Sequence, residues 1–453
     1  MNRFSRPTPF CSAVVVLLLL LAPARASAQR CEAPAFKPGP RLKAGGTPVA
    51  AAAADFDGDG RTDLATADSG AGGVSVILLR GPRGGGEPVV KTYTTGESPR
   101  AVAAGDLDGD RRPDLVVANS ASDNISVLFN EGGGRFRAAE QYKTESVPLA
   151  VVVADLNGDR RLDIAAANSK SDNVSVFFNE GRGRFADRLL FRAGRGPFAV
   201  RAADFDGDRV VDLAVANSVS STVSLLRGEG GGQFKAPLDY AAGTTPSALA
   251  DADFDGDGRR DLAAADFGSA DAAVFLNAGA GRFAAAASYP ALQSPVAVAA
   301  GDFDADGRAD VAAVHENAES VSVYIARAER RFGPRIDYRV GEGAHAVVAA
   351  DFDGDRKTDL LVTRTAAGVV SLLKGDGRGR FGPAADFKAG ESAWGLAAAD
   401  FDRDGRPDAV VTGLQAGTLT LLAGGAGGFG GPKRFEAGKR PAAVAAADFN
   451  GDG

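Results

Sequence analysis

A nine-residue acidic stretch, D-x-D-x-D-x-x-x-D with glycines set among the carboxylates, returns along the chain at a nearly fixed interval. Its copies start at Asp55, Asp106, Asp155, Asp204, Asp253, Asp302, Asp351, Asp400 and Asp448. The steps between starts are 51, then six of 49, then 48 residues. A period of that size makes each period one supersecondary unit that buries its apolar face only against its neighbours. The repeat therefore overrides the three average domains that 453 residues would otherwise suggest. Low-complexity disorder, the rival reading of a chain with 59 glycines, fails because the apolar positions recur in register with the acidic ones.

One unit reads as four strands. Proline opens it seven residues before the loop at Pro48, Pro99, Pro148, Pro197, Pro246, Pro295 and Pro441, with Ala344 and Ala393 in its place twice. Proline suits the first residue of a strand, where no ladder donor is lost. A strand of small residues follows, such as AVAAGDL at 101–107, and then the acidic loop. Side chains that small fit strands crowded around a common axis. A second strand (DLAVAN at 212–217), a polar turn, and a third strand richer in branched residues (VSVFFN at 174–179) come next. A Gly-rich hairpin leads to Phe136, Phe185, Phe234, Phe283, Phe332, Phe381 or Phe429, with Glu87 near that place in the first unit. The fourth strand carries Tyr93, Tyr142, Phe191, Tyr240, Tyr289, Tyr338, Phe387 or Phe435. Both aromatic columns are expected to pack between neighbouring units. The pattern predicts an all-β fold, a β-propeller of four-stranded blades closed into a ring, with eight (or seven) blades. A partial unit at 37–45 is expected to supply a fourth strand. The chain stops within a ninth loop, so we expect either a fragment or an overlap of these last residues with an earlier blade's place.

Alternate carboxylates on a tightly turned loop point at one spot and repel unless a cation lies between them. Hard oxygen donors in a flexible loop suit Ca²⁺. The candidate ligands are Asp55, Asp57, Asp59 and Asp63; Asp106, Asp108, Asp110 and Asp114; Asp155, Asn157, Asp159 and Asp163; and Asp204, Asp206, Asp208 and Asp212. They continue as Asp253, Asp255, Asp257 and Asp261; Asp302, Asp304, Asp306 and Asp310; Asp351, Asp353, Asp355 and Asp359; and Asp400, Asp402, Asp404 and Asp408. Position seven varies, as expected where only the backbone carbonyl is used. The glycines behave as a set: each loop keeps Gly at position four or six, so each has a residue that takes φ > 0 cheaply. Arg111, Arg160, Arg209 and Arg356 at position six are expected to weaken their loops, and Asn157 leaves the third loop one charge short.

These loops, the preceding P-x-A-V-A-x-x-D-F strand and the RFGP hairpin at 331–334 resemble the FG-GAP/VCBS repeat, familiar from the integrin α-subunit β-propeller. The resemblance runs from about residue 37 to the end. It implies that loop positions one, three, five and nine bind Ca²⁺, that the loop joins the inner two strands of each blade, and that the sites are structural. Eight complete units and the Arg at position six of four loops depart from the family's pattern.

At the N-terminus Arg3 and Arg6 precede an apolar core from Ala13 to Ala22 and a small-x-small site, Ala26-Ser27-Ala28. This predicts a signal peptide over 1–28 and a secreted mature chain of 29–453, extracellular or periplasmic. The apolar core is too short to span a membrane, and the mature chain holds no other candidate span. Cys31 is its one cysteine, so no disulfide forms within it. The formal charge of −7 becomes about −10 without Arg3, Arg6 and Arg25. Eight bound Ca²⁺ would bring it to about +6, so the acidity belongs to metal sites and marks no nucleic-acid partner. No nucleophile elbow, HExxH or phosphate loop is present. The two histidines, His315 and His345, lie in different units without a recurring partner. The expectation is a non-enzymatic binding, adhesion or scaffold module for an extracellular glycan or protein, with the polar turns 119–124, 168–173, 217–222 and 316–319 on one face. A polysaccharide lyase-like enzyme on a calcium-stabilised propeller is the alternative, and a structural spacer in a larger secreted protein a third reading.

Overall fold

The structure, a computed structural model, describes residues 48–59, 63–68, 72–78, 89–328, 330–401, 404–413, 415, 418–425 and 428–436. The leader, the partial unit at 37–45, Glu87, Asp402 and the Asp448 loop lie outside the described residues. Those described hold strands and turns and no helix, so none that could cross a membrane. The strands form eight antiparallel four-stranded sheets, each drawn from one continuous stretch of chain and ordered inner to outer as in sequence. Blade 5 is typical, with strands Pro246–Ala252, Asp261–Asp266, Asp271–Phe275 and Ala287–Pro290. The sheets are the blades of an eight-bladed β-propeller.

Crowding near the axis explains the small inner strands. From blade 1 to blade 8 each inner strand touches the next, as Pro99–Gly105 does those at Pro48–Ala54 and Pro148–Ala154. Ala and Val leave the space that such close strands require. The second strands are buried along their length, which accounts for their continuous apolar runs such as Asp212–Asn217. Fourth strands alternate between half-buried and exposed, as in Leu238–Ala241, because one of their faces meets water.

Each hydrophobic cluster straddles two blades. One gathers Ala165, Val174 and Val176 of blade 3 with Val215, Leu226 and Phe234 of blade 4. The two aromatic columns meet at these joints. The fourth-strand ring of one blade lies edge-on to the hairpin Phe of the next, from Phe191–Phe234 at 4.9 Å to Tyr338–Phe381 at 5.5 Å between centroids. Where the fourth-strand residue is Tyr93, Tyr240, Tyr289 or Tyr338, its hydroxyl also accepts the backbone N–H of that Phe, at 3.0–3.3 Å. Blade 8 meets blade 1 differently. Phe401, Val410, Leu419 and Leu421 pack there against Leu64 and Ile77, joining the two blades by side-chain burial, and among the described residues each of the two sheets is drawn from its own stretch of chain.

The joints predict a graded response. Phe381→Ala should cost about 3–5 kcal/mol in urea unfolding, as expected for a large buried aromatic. Tyr338→Phe keeps the ring and loses only the bond to the Phe381 N–H, so it should cost about 0.5–1.5 kcal/mol. Equal losses for the two would place the stabilisation in the hydroxyl rather than in ring packing.

Candidate metal centre

The acidic loop is wired by its own backbone before any ligand is considered. In blade 5, Asp253 Oδ1 accepts the N–H of Gly256 at 2.7 Å and of Asp257 at 3.1 Å, and its Oδ2 accepts Gly258 N–H at 2.8 Å. Asp255 Oδ1 accepts Asp257 N–H, and Asp257 Oδ1 accepts Arg259 N–H. The first carboxylate thus caps a turn that coils the third and fifth around it. Position nine is anchored most firmly. Asp261 is fully buried; Oδ2 accepts Phe254 N–H at 2.8 Å, and Oδ1 accepts Asn277 N–H from beyond the third strand at 2.6 Å. The same pair of bonds recurs at Asp114, Asp163, Asp212, Asp310, Asp359 and Asp408.

The geometry converges. One oxygen each from Asp55, Asp57 and Asp63 lies within 4.8 Å of the others, and the same holds for Asp106, Asp108 and Asp114, for Asp204, Asp206 and Asp212, and for Asp253, Asp255 and Asp261. In the sixth loop the trio is Asp302, Asp304 and Asp306. Burial raises the position-nine carboxyls, Asp114 to about 8 and Asp212, Asp261 and Asp310 to about 7. Asp108, Asp206, Asp255 and Asp304 are raised as well, first by burial and then by the negative position-five neighbour. Asp304 Oδ1 is buried with no hydrogen-bond partner. A hard divalent cation is the group that such a donor set fits.

Position five and two cationic side chains depart from the uniform picture. Asp110, Asp159, Asp257, Asp306 and Asp355 each pair with the Arg or Lys two residues on. Position seven was read as varied because its side chain is idle; it is instead the charge partner of position five in these loops. Arg330, from the hairpin of blade 6, places Nη2 2.6 Å from Asp255 Oδ2, out of line for a hydrogen bond. Lys374 Nζ lies 2.8 Å from Asp353. In the third loop the Asn157 amide donates to Asp159 Oδ2.

Both glycine positions need left-handed backbone, a stricter demand than one permissive residue per loop. Position four has φ 78–85° at Gly58, Gly109, Gly158, Gly207, Gly256 and Gly354, and 61° at Ala305. Position six has φ 65–70° at Arg111, Arg160, Arg209 and Arg356, where an L side chain is strained. The loops also reach the next blade. Gly134 N–H of blade 2 donates to Phe56 O of blade 1, and Gly379 of blade 7 does the same to Phe303 O. The Asn130, Asn179 and Asn277 amides donate across the joint to Phe56 O, Leu107 O and Phe205 O.

The polar turns stay at the surface, with Ala121, Lys170, Val219 and Asn317 exposed at their tips, while the residues that lead into them face inward. Asn119, Asn168 and Asn217 are fully buried at the ends of the second strands, and each donates to the serine seven residues on, Ser126, Ser175 or Ser224. His315 occupies the same column, buried, with Nε2 2.8 Å from Ser322 Oγ, which donates to Asp337. The serine stands between His315 and Asp337, which is the wiring of a structural column. Asp68 is the first member, raised to about 8 by burial and bonded by Thr66 and Ser75. At Asp266 the serine is replaced by Ala273; its Oδ1, like the Oδ1 of Asn119, Asn168 and Asn217, is buried without a hydrogen-bond partner, but here on a charged group. Repeating the 49-residue alignment outside the loop would have revealed this column from sequence.

The FG-GAP-like repeat family matches the chain over residues 55–117, 106–166, 155–215, 204–264, 253–313, 302–362 and 351–411. No curated protein matches it. Among solved structures, a protein from Lactobacillus plantarum is 11% identical with a TM-score of 0.51, the likeness covering 76% of this chain and 97% of that one. A functionally unknown protein from Desulfotomaculum acetoxidans is 12% identical with a TM-score of 0.49, covering 82% and 98%. An Agrocybe aegerita lectin that recognises non-reducing terminal N-acetylglucosamine is 18% identical with a TM-score of 0.46, covering 70% and 87%. The first likeness shows the fold alone.

Two substitutions test the wiring. Ala305→Gly relieves a left-handed alanine and should stabilise the sixth blade by about 0.5–1 kcal/mol, net of the extra flexibility of glycine when unfolded. Asp266→Asn should stabilise by about 1–3 kcal/mol at pH 8, because it removes a buried charge facing Asp271 and a carboxylate oxygen without a partner. The folded pKa of Asp266 is raised to about 7 from 3.8. The wild type therefore loses stability as pH rises from about 4 to 7, and the gain from Asp266→Asn should vanish near pH 4. A gain independent of pH in parallel melting curves would show that the charge is not its cause.

Proposed function

The chain belongs to the FG-GAP-like repeat family, and from that membership we propose that it is an exported, non-catalytic binding or scaffold propeller, stapled by calcium, that presents a rigid face to an extracellular glycan or protein. The observation that carries the calcium part is the buried Asp304 Oδ1, left without a partner among converging carboxylates. Positions one, three and nine would hold the ion in the first, second, fourth and fifth loops, and Asp302, Asp304 and Asp306 in the sixth. A bound ion supplies positive charge where buried carboxylates repel. The chain's own contribution is the coil of N–H bonds that fixes each oxygen, and the bonds that tie each loop to the next blade's hairpin. Calcium would thus set the stiffness of the joints as well as of the loops.

A non-catalytic role is supported by His315, which does the work of the asparagines of blades 2, 3 and 4, and by the uniformity of the blades themselves. Export is supported by the leader sequence; with one cysteine after it, no disulfide forms within the mature chain and metal ions remain the available staples.

Calcium removal is the test. Sites with dissociation constants near 10⁻⁴ M in millimolar calcium would each contribute about 1.4 kcal/mol by linkage. The melting temperature should fall sharply in excess chelator, recover with calcium, and recover poorly with magnesium, which demands stricter octahedral geometry. Calorimetric titration should show the Asn157 loop among the weakest sites, with Asn157→Asp tightening it. Melting curves that coincide within a degree or two with and without chelator would overturn the calcium assignment.

A further inference from the structure

We propose that the mouth of the central channel, on the side away from the acidic loops, binds a small organic anion with a flat apolar body, of the aryl carboxylate class, held by Arg201 and packed against Phe198. This names a ligand for the fold and does not depend on calcium, so it stands or falls separately from the metal.

A cavity of about 470 Å³ lies there, lined by the inner strands of all eight blades. That volume lies in the range of small-molecule sites. All eight inner strands run toward their acidic loops, and the lining begins at the second or third residue of each and reaches no further than the fifth of seven, which sets the cavity toward the end opposite the loops.

What lines it is set by a β-bulge. The pairing of every inner strand slips just after its first residue: Pro99 faces Asn119 and Ala101 faces Ala118, leaving Arg100 outside the ladder. The same slip leaves Leu149, Phe198, Ser247 and Val296 unpaired in their blades, and His345 with Ala346 in blade 7. A bulge re-aims the side chain it carries. The neighbouring columns are mostly Ala and Val from blade to blade, whereas this column ranges over Arg100, Leu149, Phe198, Ser247 and His345. That variation, with Arg201 as a departure three residues after Phe198, gives an eightfold scaffold a single asymmetric site.

The asymmetry has a sign. Arg100 and Arg201 line the cavity and no carboxylate does, in a chain whose net charge is −7. Arg201 stands where the other blades carry Ala or Val. Its Nε donates to Leu249 O across the joint at 3.1 Å, which orients the guanidinium while leaving its two terminal nitrogens for a carboxylate. Phe198, on the same strand, is 45% exposed despite its size, an apolar wall beside the charge. On the far side His345 stacks on Trp394 at 3.6 Å between centroids, and its Nδ1 is buried with no partner. Burial holds that imidazole neutral, at a pKa of about 4, so it adds a hydrogen-bonding atom and no charge. A cation in one place, an aromatic surface beside it and an unpaired polar atom opposite suit a carboxylate carried on a ring.

Trp394 is the chain's one tryptophan, so its fluorescence reports this mouth alone. The purified chain in calcium-saturated buffer is titrated with benzoate, 4-hydroxybenzoate and the neutral isostere benzyl alcohol, with calorimetry in parallel. Saturable binding of the carboxylates, at least tenfold tighter than the alcohol, is expected. Arg201→Gln should weaken benzoate at least tenfold and leave the alcohol unchanged, Arg201→Lys should retain part of the affinity, and Phe198→Ala should weaken both probes. Equal affinity for acid and alcohol, unaltered benzoate binding in Arg201→Gln, or no saturable binding of either carboxylate would overturn the proposal. If Arg201→Gln fails to fold, the comparison of acid with alcohol on the unaltered chain decides.

Discussion

A buried carboxylate that accepts two backbone N–H groups is the constraint on which each blade depends. Asp261 and its counterparts receive one N–H from the start of the acidic loop and one from the far end of the third strand. That single side chain therefore fixes the loop, the second strand that it begins and the hairpin beyond the third. Two donors do not fully replace water around a buried anion, and burial still lifts these carboxyls well above their ordinary range. The remaining deficit is electrostatic and local to the loop. A cation bridging positions one, three and nine would remove it at its source, which is why a metal reading follows from the wiring as well as from the acidity.

The same loops sit at the joints between blades. Their second residue, Phe in most units, lies under the hairpin Phe of the next blade, as Phe303 does under Phe381 at 5.2 Å, and its carbonyl receives that hairpin's backbone N–H. A perturbation at one loop is thus felt by two blades. The joint between blades 8 and 1 is built from aliphatic residues around Phe401 without the hairpin phenylalanine found at the others. Among the described residues, burial of these side chains is what joins the two blades.

Uniformity and variation are divided between the two ends of the inner strands. Toward the acidic loops the sequence repeats because every blade must solve the same problem of loop wiring and joint packing. Toward the other mouth the bulge releases one or two residues per blade from the ladder, and these range over Arg100, Leu149, Phe198, Ser247 and His345. A repeat protein acquires a specific site at the position that its own packing does not constrain.

The sequence by itself determined the blade: its four strands, its proline start, its crowded inner strand and its converging aspartates all follow from local period and residue size. It determined the inter-blade role of the aromatic columns too, since rings repeated at one spacing have only the neighbouring unit to pack on. Three things were decided by tertiary structure. Position nine emerged as a backbone anchor because its second donor comes from 16 residues downstream, at Asn277 for Asp261, a distance that no local pattern encodes. The residues that end the second strands, Asn119, Asn168, Asn217 and His315, were buried on their serines while the turns after them stayed at the surface, because cross-strand register rather than composition sets which residue is covered. The gathering of Arg201, Phe198 and His345 around one channel required closure of eight blades about an axis, which brings together residues nearly 150 positions apart.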